Sequence, residues 1–127
     1  MAHTRLTDVG LRHFEELLRA QRADIDTELL QLTGTLDDVR SARGDTSADD
    51  EHDPEGPTLS MEWSKISGIQ NELARTSAAI DAALARIDDG TYGICTRRGE
   101  VIGRARLEAR PAAELCIDCA RELESQR

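Results

Sequence analysis

The segment Asp45-Thr-Ser-Ala-Asp-Asp-Glu-His-Asp-Pro-Glu55 separates two long stretches that share one apolar rhythm. Before it, Leu11, Leu18, Ile25, Leu32 and Val39 recur every seven residues; after it, Leu59, Ile66, Leu73, Ile80 and Ile87 do the same. A seven-residue repeat keeps its members on one face of an α-helix, and two such faces bury each other as a coiled coil. Pairing Val39 with Leu59, Leu32 with Ile66 and so outward centres every pair on position 49, inside the acidic segment. The pattern therefore predicts a mainly α protein built on a long antiparallel coiled-coil hairpin. Because the pairing closes within one chain, it also predicts a monomer.

Thr7 or Asp8 is placed to cap a first arm over about residues 8–43, with Gly44 as its left-handed C-terminal cap. Phe14 early, then Leu29 and Leu36, widen the stripe, as 3.6 residues per turn must do against a repeat of seven. The second arm is expected over about 57–89, with Pro57 in its first turn and Gly90 at its end. Trp63, Ile69 and Leu84 flank its heptad set and are expected to pack on the first arm; Trp63 has a second reading as a contact residue near the tip. Residues 1–90 thus form the hairpin, with a tip over about 44–56.

The tip carries Asp45, Asp49, Asp50, Glu51, Asp53 and Glu55 and no Lys or Arg, and Pro54, Gly56 and Pro57 break any continuous helix. Most charge runs are solvated surface. At the far end of a stiff hairpin, however, the same carboxylates concentrate a negative potential suited to a cation, an arginine cluster or a bound Mg²⁺.

Composition narrows the function classes. The only aromatic residues are Phe14, Trp63 and Tyr92, and 32% of the chain is charged, which excludes a thick globular core and suits a narrow helical seam. A net charge of −9 argues against coating nucleic acid, which rests on neutralising phosphates, so no sequence-specific DNA binding is expected. No apolar run reaches the roughly 18 residues of a membrane span, and the first residues do not resemble a signal peptide, so the expectation is a soluble, cytoplasmic protein without a membrane partner. No nucleophile–base constellation or phosphate-cradling glycine loop is present, and the chain reads as a non-enzyme.

After Gly90 the texture changes. Tyr92-Gly-Ile-Cys95, a short apolar run at Val101-Ile102, and Leu115-Cys-Ile-Asp-Cys119 opening a terminal helix read as a small zinc-knuckle-like domain over 91–127. A redox Cys-x-x-Cys would need an adjoining β-α-β pattern, which is missing. Five arginines, at 97, 98, 104, 106 and 110, against Glu100 and Glu108 make this end locally basic, either as solvated surface or as a face for an acidic partner or nucleotide.

Asp88-Asp-Gly-Thr-Tyr-Gly-Ile-Cys95 and Arg106-Leu-Glu-Ala-Arg-Pro-Ala-Ala-Glu-Leu-Cys-Ile-Asp-Cys119 resemble the C-terminal signature of the DksA/TraR family, and a hairpin with an acidic tip is that family's other hallmark. The resemblance implies two Cys-x-x-Cys pairs, seventeen residues apart, holding one zinc ion; the matching positions here are Cys95, Arg98, Cys116 and Cys119. A guanidinium stays protonated and cannot ligate a metal. Either three thiolates plus water or an oxygen such as that of Glu100 hold the ion, or the knuckle folds without metal and the cysteines serve as small buried apolar residues.

The resemblance further implies a transcription regulator that binds RNA polymerase directly. Its coiled-coil tip enters the secondary channel near the catalytic Mg²⁺, often together with guanosine tetraphosphate. The family's tip motif, Asp-x-x-Asp-x-Ala, matches Asp50 and Asp53, with Glu51 between them and Glu55 in place of the alanine. The competing classes are a zinc-knuckle nucleic-acid-binding module on a coiled-coil stalk, and a coiled-coil adaptor whose heptads pair between chains.

Overall fold

The computed structural model describes residues 5–47 and 56–126. Four helices follow one another: α1 (Asp8–Ser47), α2 (Gly56–Asp89), α3 (Arg104–Ala109) and α4 (Ile117–Ser125). Among the described residues no strand forms; the nearest thing is an isolated antiparallel bridge between Ile94 and Val101. The fold is mainly helical, as the heptads require. The expected tip residues Asp49, Asp50, Glu51, Asp53 and Glu55 lie outside the described residues.

The helix ends show which cap signals act. Thr7 is the cap of α1: its Oγ1 accepts the Gly10 amide at 3.2 Å and its carbonyl accepts Leu11 N–H at 2.9 Å. Gly44 does not end the helix as expected. It is absent from the glycines with positive φ, and α1 runs on to Ser47. A glycine terminates a helix only by turning left-handed; in a helical conformation it merely costs about 1 kcal/mol relative to alanine. Gly90 does turn, at φ 82. Its N–H reaches Ile87 O at 3.3 Å and the Thr91 N–H reaches Arg86 O at 2.9 Å, the paired bonds of a Schellman stop.

The chain forms two compact units: residues 1–22 with 78–127, and residues 23–77. In the second unit Ile25, Leu36 and Ile66 are buried, and the Arg40 guanidinium lies 5.3 Å from the centroid of the half-buried Trp63 ring. Ile69 does not pack as expected and stays 43% exposed. The reason is register. The companions of the α2 heptad set fall three residues before each member, at Trp63, Gln70, Ser77 and Leu84, all buried or half-buried. That register leaves Ile69, three residues after Ile66, on the shoulder.

In the first unit, Phe14, Leu18, Ile80, Ala83, Tyr92 and Leu107 form the core. The Phe14 ring centroid lies 5.8 Å from that of Tyr92, and Arg104 of α3 covers the Phe14 ring at the same separation. Beside it His13 Nε2 lies 3.0 Å from Glu108 Oε1, and the Tyr92 hydroxyl donates to Pro111 O at 2.6 Å. Burial first, then Glu108, push the Tyr92 hydroxyl up to about 12 against the opposing pull of Arg86. These contacts fix α3 and the following turn against the helix ends, and so place the segment that leads into α4.

Candidate metal centre

The cysteines are brought together by a tight turn and a helix start. Gly93 and Gly99 have φ of 84 and 71, which a glycine adopts without steric cost. Between them, Cys95 N–H donates to Glu100 O at 2.7 Å, Gly99 N–H to Cys95 O at 2.8 Å and Ile102 N–H to Gly93 O at 2.8 Å. This knuckle turns the Cys95 side chain inward. A bond from Thr96 N–H to Glu114 O at 2.9 Å ties it to the segment before α4. Cys116 is the N-cap of α4, and its side chain makes no capping bond, so its sulfur is free for the cluster. Cys119 lies three residues on, one helical turn away on the same face.

The three sulfurs all lie within 4.8 Å of one another, with Cys95 Sγ 3.7 Å from Cys119 Sγ. All three thiols are free and buried. Two thiolates on one tetrahedral zinc, each at about 2.3 Å, sit roughly 3.8 Å apart, so the donor set fits zinc on three sides. Burial alone would raise the Cys95 thiol, but the amides of Cys116, Arg98 and Arg97 and the Cys119 thiol point at its sulfur and bring it down to about 7. Cys119 moves the other way, to about 11, through burial and the neighbouring Cys116 and Cys95 sulfurs. Of these two thiols, Cys95 is the one that ionises first. Its amide cradle stabilises the thiolate that a metal requires.

No carboxylate or imidazole joins the cluster among the described residues. Glu100, one source considered for a fourth oxygen, contributes its backbone carbonyl to Cys95 N–H instead. Arg98, at the position of the missing cysteine, sends its guanidinium to α4: Nη2 to Glu122 Oε1 at 2.8 Å and Nη1 to Asp118 Oδ2 at 3.9 Å. The charge around it, from Cys119 first and then Glu122, raises its already high pKa further. The sequence marked Arg98 as a departure but gave no sign of Glu122 as its partner. The only available signal was spacing, since Glu122 lies one turn beyond Cys119 on α4. The local excess of arginine is largely used internally too. Arg97 pairs with Glu122 at 3.4 Å, Arg104 with Glu108 at 3.4 Å, and Arg106 donates to Leu115 O at 2.8 Å.

Known proteins resemble this chain in sequence and fold. Residues 90–125 match the model of the prokaryotic dksA/traR C4-type zinc finger. The RNA polymerase-binding transcription factor DksA of Caulobacter vibrioides is 56% identical over 39 residues, which is 31% of this chain and 28% of that protein. The factor of the same name from Haemophilus influenzae is 31% identical over 114 residues, covering 90% of this chain and 74% of the relative. The solved structure of transcription factor DksA2 from Pseudomonas aeruginosa superposes with a TM-score of 0.79 at 25% identity, covering 94% of this chain and 86% of that one. The zinc-finger match and the thiol cluster together point to one zinc ion as the cofactor. With three of the four finger positions kept and the similarity running through both long helices, the chain belongs to the DksA/TraR family.

Proposed function

We propose that this protein is a transcription factor that binds RNA polymerase directly. It modulates initiation by inserting the tip of its helical hairpin into the enzyme's secondary channel. Asp50 and Asp53, flanked by Glu51 and Glu55, are the carboxylates delivered there. One observation carries the reading: similarity to a relative named as an RNA polymerase-binding factor extends over 90% of the chain and takes in both long helices as well as the finger. A negative tip is suited to the neighbourhood of a catalytic Mg²⁺ or its arginines. Glu55 in place of the family's alanine adds a charge at the tip and changes how it docks.

Under this reading residues 1–90 are the inserted hairpin and 91–127 the finger domain, in which Cys95, Cys116 and Cys119 hold zinc. The protein acts as a cytoplasmic monomer, with guanosine tetraphosphate as an accompanying effector. The test is co-purification with RNA polymerase, using a photo-crosslinking residue substituted for Asp50. Crosslinks to residues lining the secondary channel are expected. Co-purification with crosslinks confined to the outer surface of the polymerase would reject insertion while leaving binding intact.

A further inference from the structure

The finger departs from four thiolates at one position, and the surroundings of that position show how the chain compensates. Zinc favours four ligands, and this chain brings three sulfurs within 4.8 Å of one another and no other donor side chain among the described residues. Two carboxylates of α4 beside Arg98 are engaged elsewhere. Glu122 is held by Arg98 at 2.8 Å and by Arg97 at 3.4 Å, and Asp118 faces Arg98 at 3.9 Å. Arg98 itself offers the site only its backbone amide, which points at the Cys95 sulfur, while its guanidinium extends to α4. Its side chain remains 40% exposed, so the face it borders is not sealed from solvent. Cys116 is the most exposed of the three cysteines at 9%, against 1% for Cys95 and 0% for Cys119.

Building on the zinc reading above, we infer that Cys95, Cys116 and Cys119 grip the metal on three sides and leave the fourth to a small exogenous anionic donor, best matched by a thiolate. Charge leaves room for an anion. Three thiolates around a dication leave one net negative charge, and the Arg98 guanidinium, though paired with Glu122, also interacts with Cys119, so it offsets part of that charge. A fourth built-in cysteine would both fill the position and remove the balancing cation. Softness favours sulfur, since the site's own donors are thiolates. Arg98 is therefore a positioning residue: it admits a ligand that the four-cysteine form of the finger would exclude.

The test is an optical titration of the full chain loaded with Co²⁺, whose thiolate-to-metal absorption reports the number of bound sulfurs. Adding 2-mercaptoethanol to the wild type should change the ligand-field bands saturably and raise the charge-transfer intensity by about a third, as three thiolates become four. Arg98→Cys should start at the higher intensity and ignore the added thiol. A wild-type spectrum that binds cobalt but does not respond, or that already has four-thiolate intensity, overturns the inference while leaving the zinc reading in place. A wild type that takes up no cobalt overturns both. If Arg98→Cys does not fold, the wild-type titration decides alone.

Discussion

Arg98 crosses from the knuckle to α4, where its Nη2 lies 2.8 Å from Oε1 of Glu122. The pair joins the same two segments that a fourth thiolate would have joined through the metal, but it does so at the surface, with side chains 40% and 45% exposed. Ion pairs at that exposure contribute little in water, because solvent screens them and two long side chains must be ordered. Arg98→Ala should therefore keep the metal content of the wild type and melt close to it. Cys119→Ser, which removes a fully buried sulfur of the cluster, should lower metal content and melting temperature together. Elemental analysis and thermal denaturation read both. A matching loss of metal in Arg98→Ala would show that the guanidinium is needed to hold the metal as well as the thiols.

The Tyr92 hydroxyl gives a pH-dependent prediction. It donates to Pro111 O at 2.6 Å in a buried setting, and burial holds its pKa near 12 against an ordinary value of 10.0. A folded-state value above the unfolded one means the contribution is complete below about pH 10 and fades as pH rises toward 12. Tyr92→Phe leaves the carbonyl without its donor and should cost about 1 to 3 kcal/mol at neutral pH. The variant should also lose the tyrosine-linked part of the alkaline decline. Denaturant melts at neutral pH and between pH 9 and 12 check both statements. Parallel alkaline profiles for variant and wild type would mean that another group causes the decline.

Burial separates residues that look alike in sequence. Leu18 is 0% exposed, whereas Leu30, on the same helix, is 76% exposed. Leu18→Ala should destabilise by about 2 to 5 kcal/mol through lost burial and a residual cavity, and Phe14→Ala by about 3 to 5 kcal/mol. Leu30→Ala should fall within about 0.5 kcal/mol of the wild type. Equilibrium urea denaturation measures all three. A large effect at Leu30 would indicate that its surface is covered in solution.

The seam was legible because a seven-residue spacing acts locally on every turn. Leu18, Ile25, Ile66 and Ile80 are buried where the repeat places them, and the drift from Phe14 to Leu36 follows the mismatch between 3.6 and 3.5 residues per turn. Ile69 and Gly44 were misread for one shared reason. Residue type alone does not say which of two flanking rows faces the partner helix, nor whether a glycine turns left-handed. The three cysteines were legible through spacing and family resemblance. Glu122 and the Tyr92–Pro111 bond were not, because both depend on how α4 and the turn after α3 are set against distant parts of the chain.

The tip offers the most direct test of function. Replacing Asp50 and Asp53 with asparagine keeps side-chain size and hydrogen-bonding capacity while removing two negative charges, so changes in shape are minimised. If these carboxylates act on the polymerase active region, the double variant should retain the helical circular-dichroism signal and co-elute with polymerase, yet lose its effect on open-complex lifetime. Asp37→Asn with Asp38→Asn, two exposed positions on α1, removes the same charge elsewhere and controls for net charge. It should regulate like the wild type. A tip variant that regulates normally would remove Asp50 and Asp53 from the mechanism. A tip variant that no longer co-elutes would make them docking residues, because the loss would then precede any influence on the catalytic Mg²⁺.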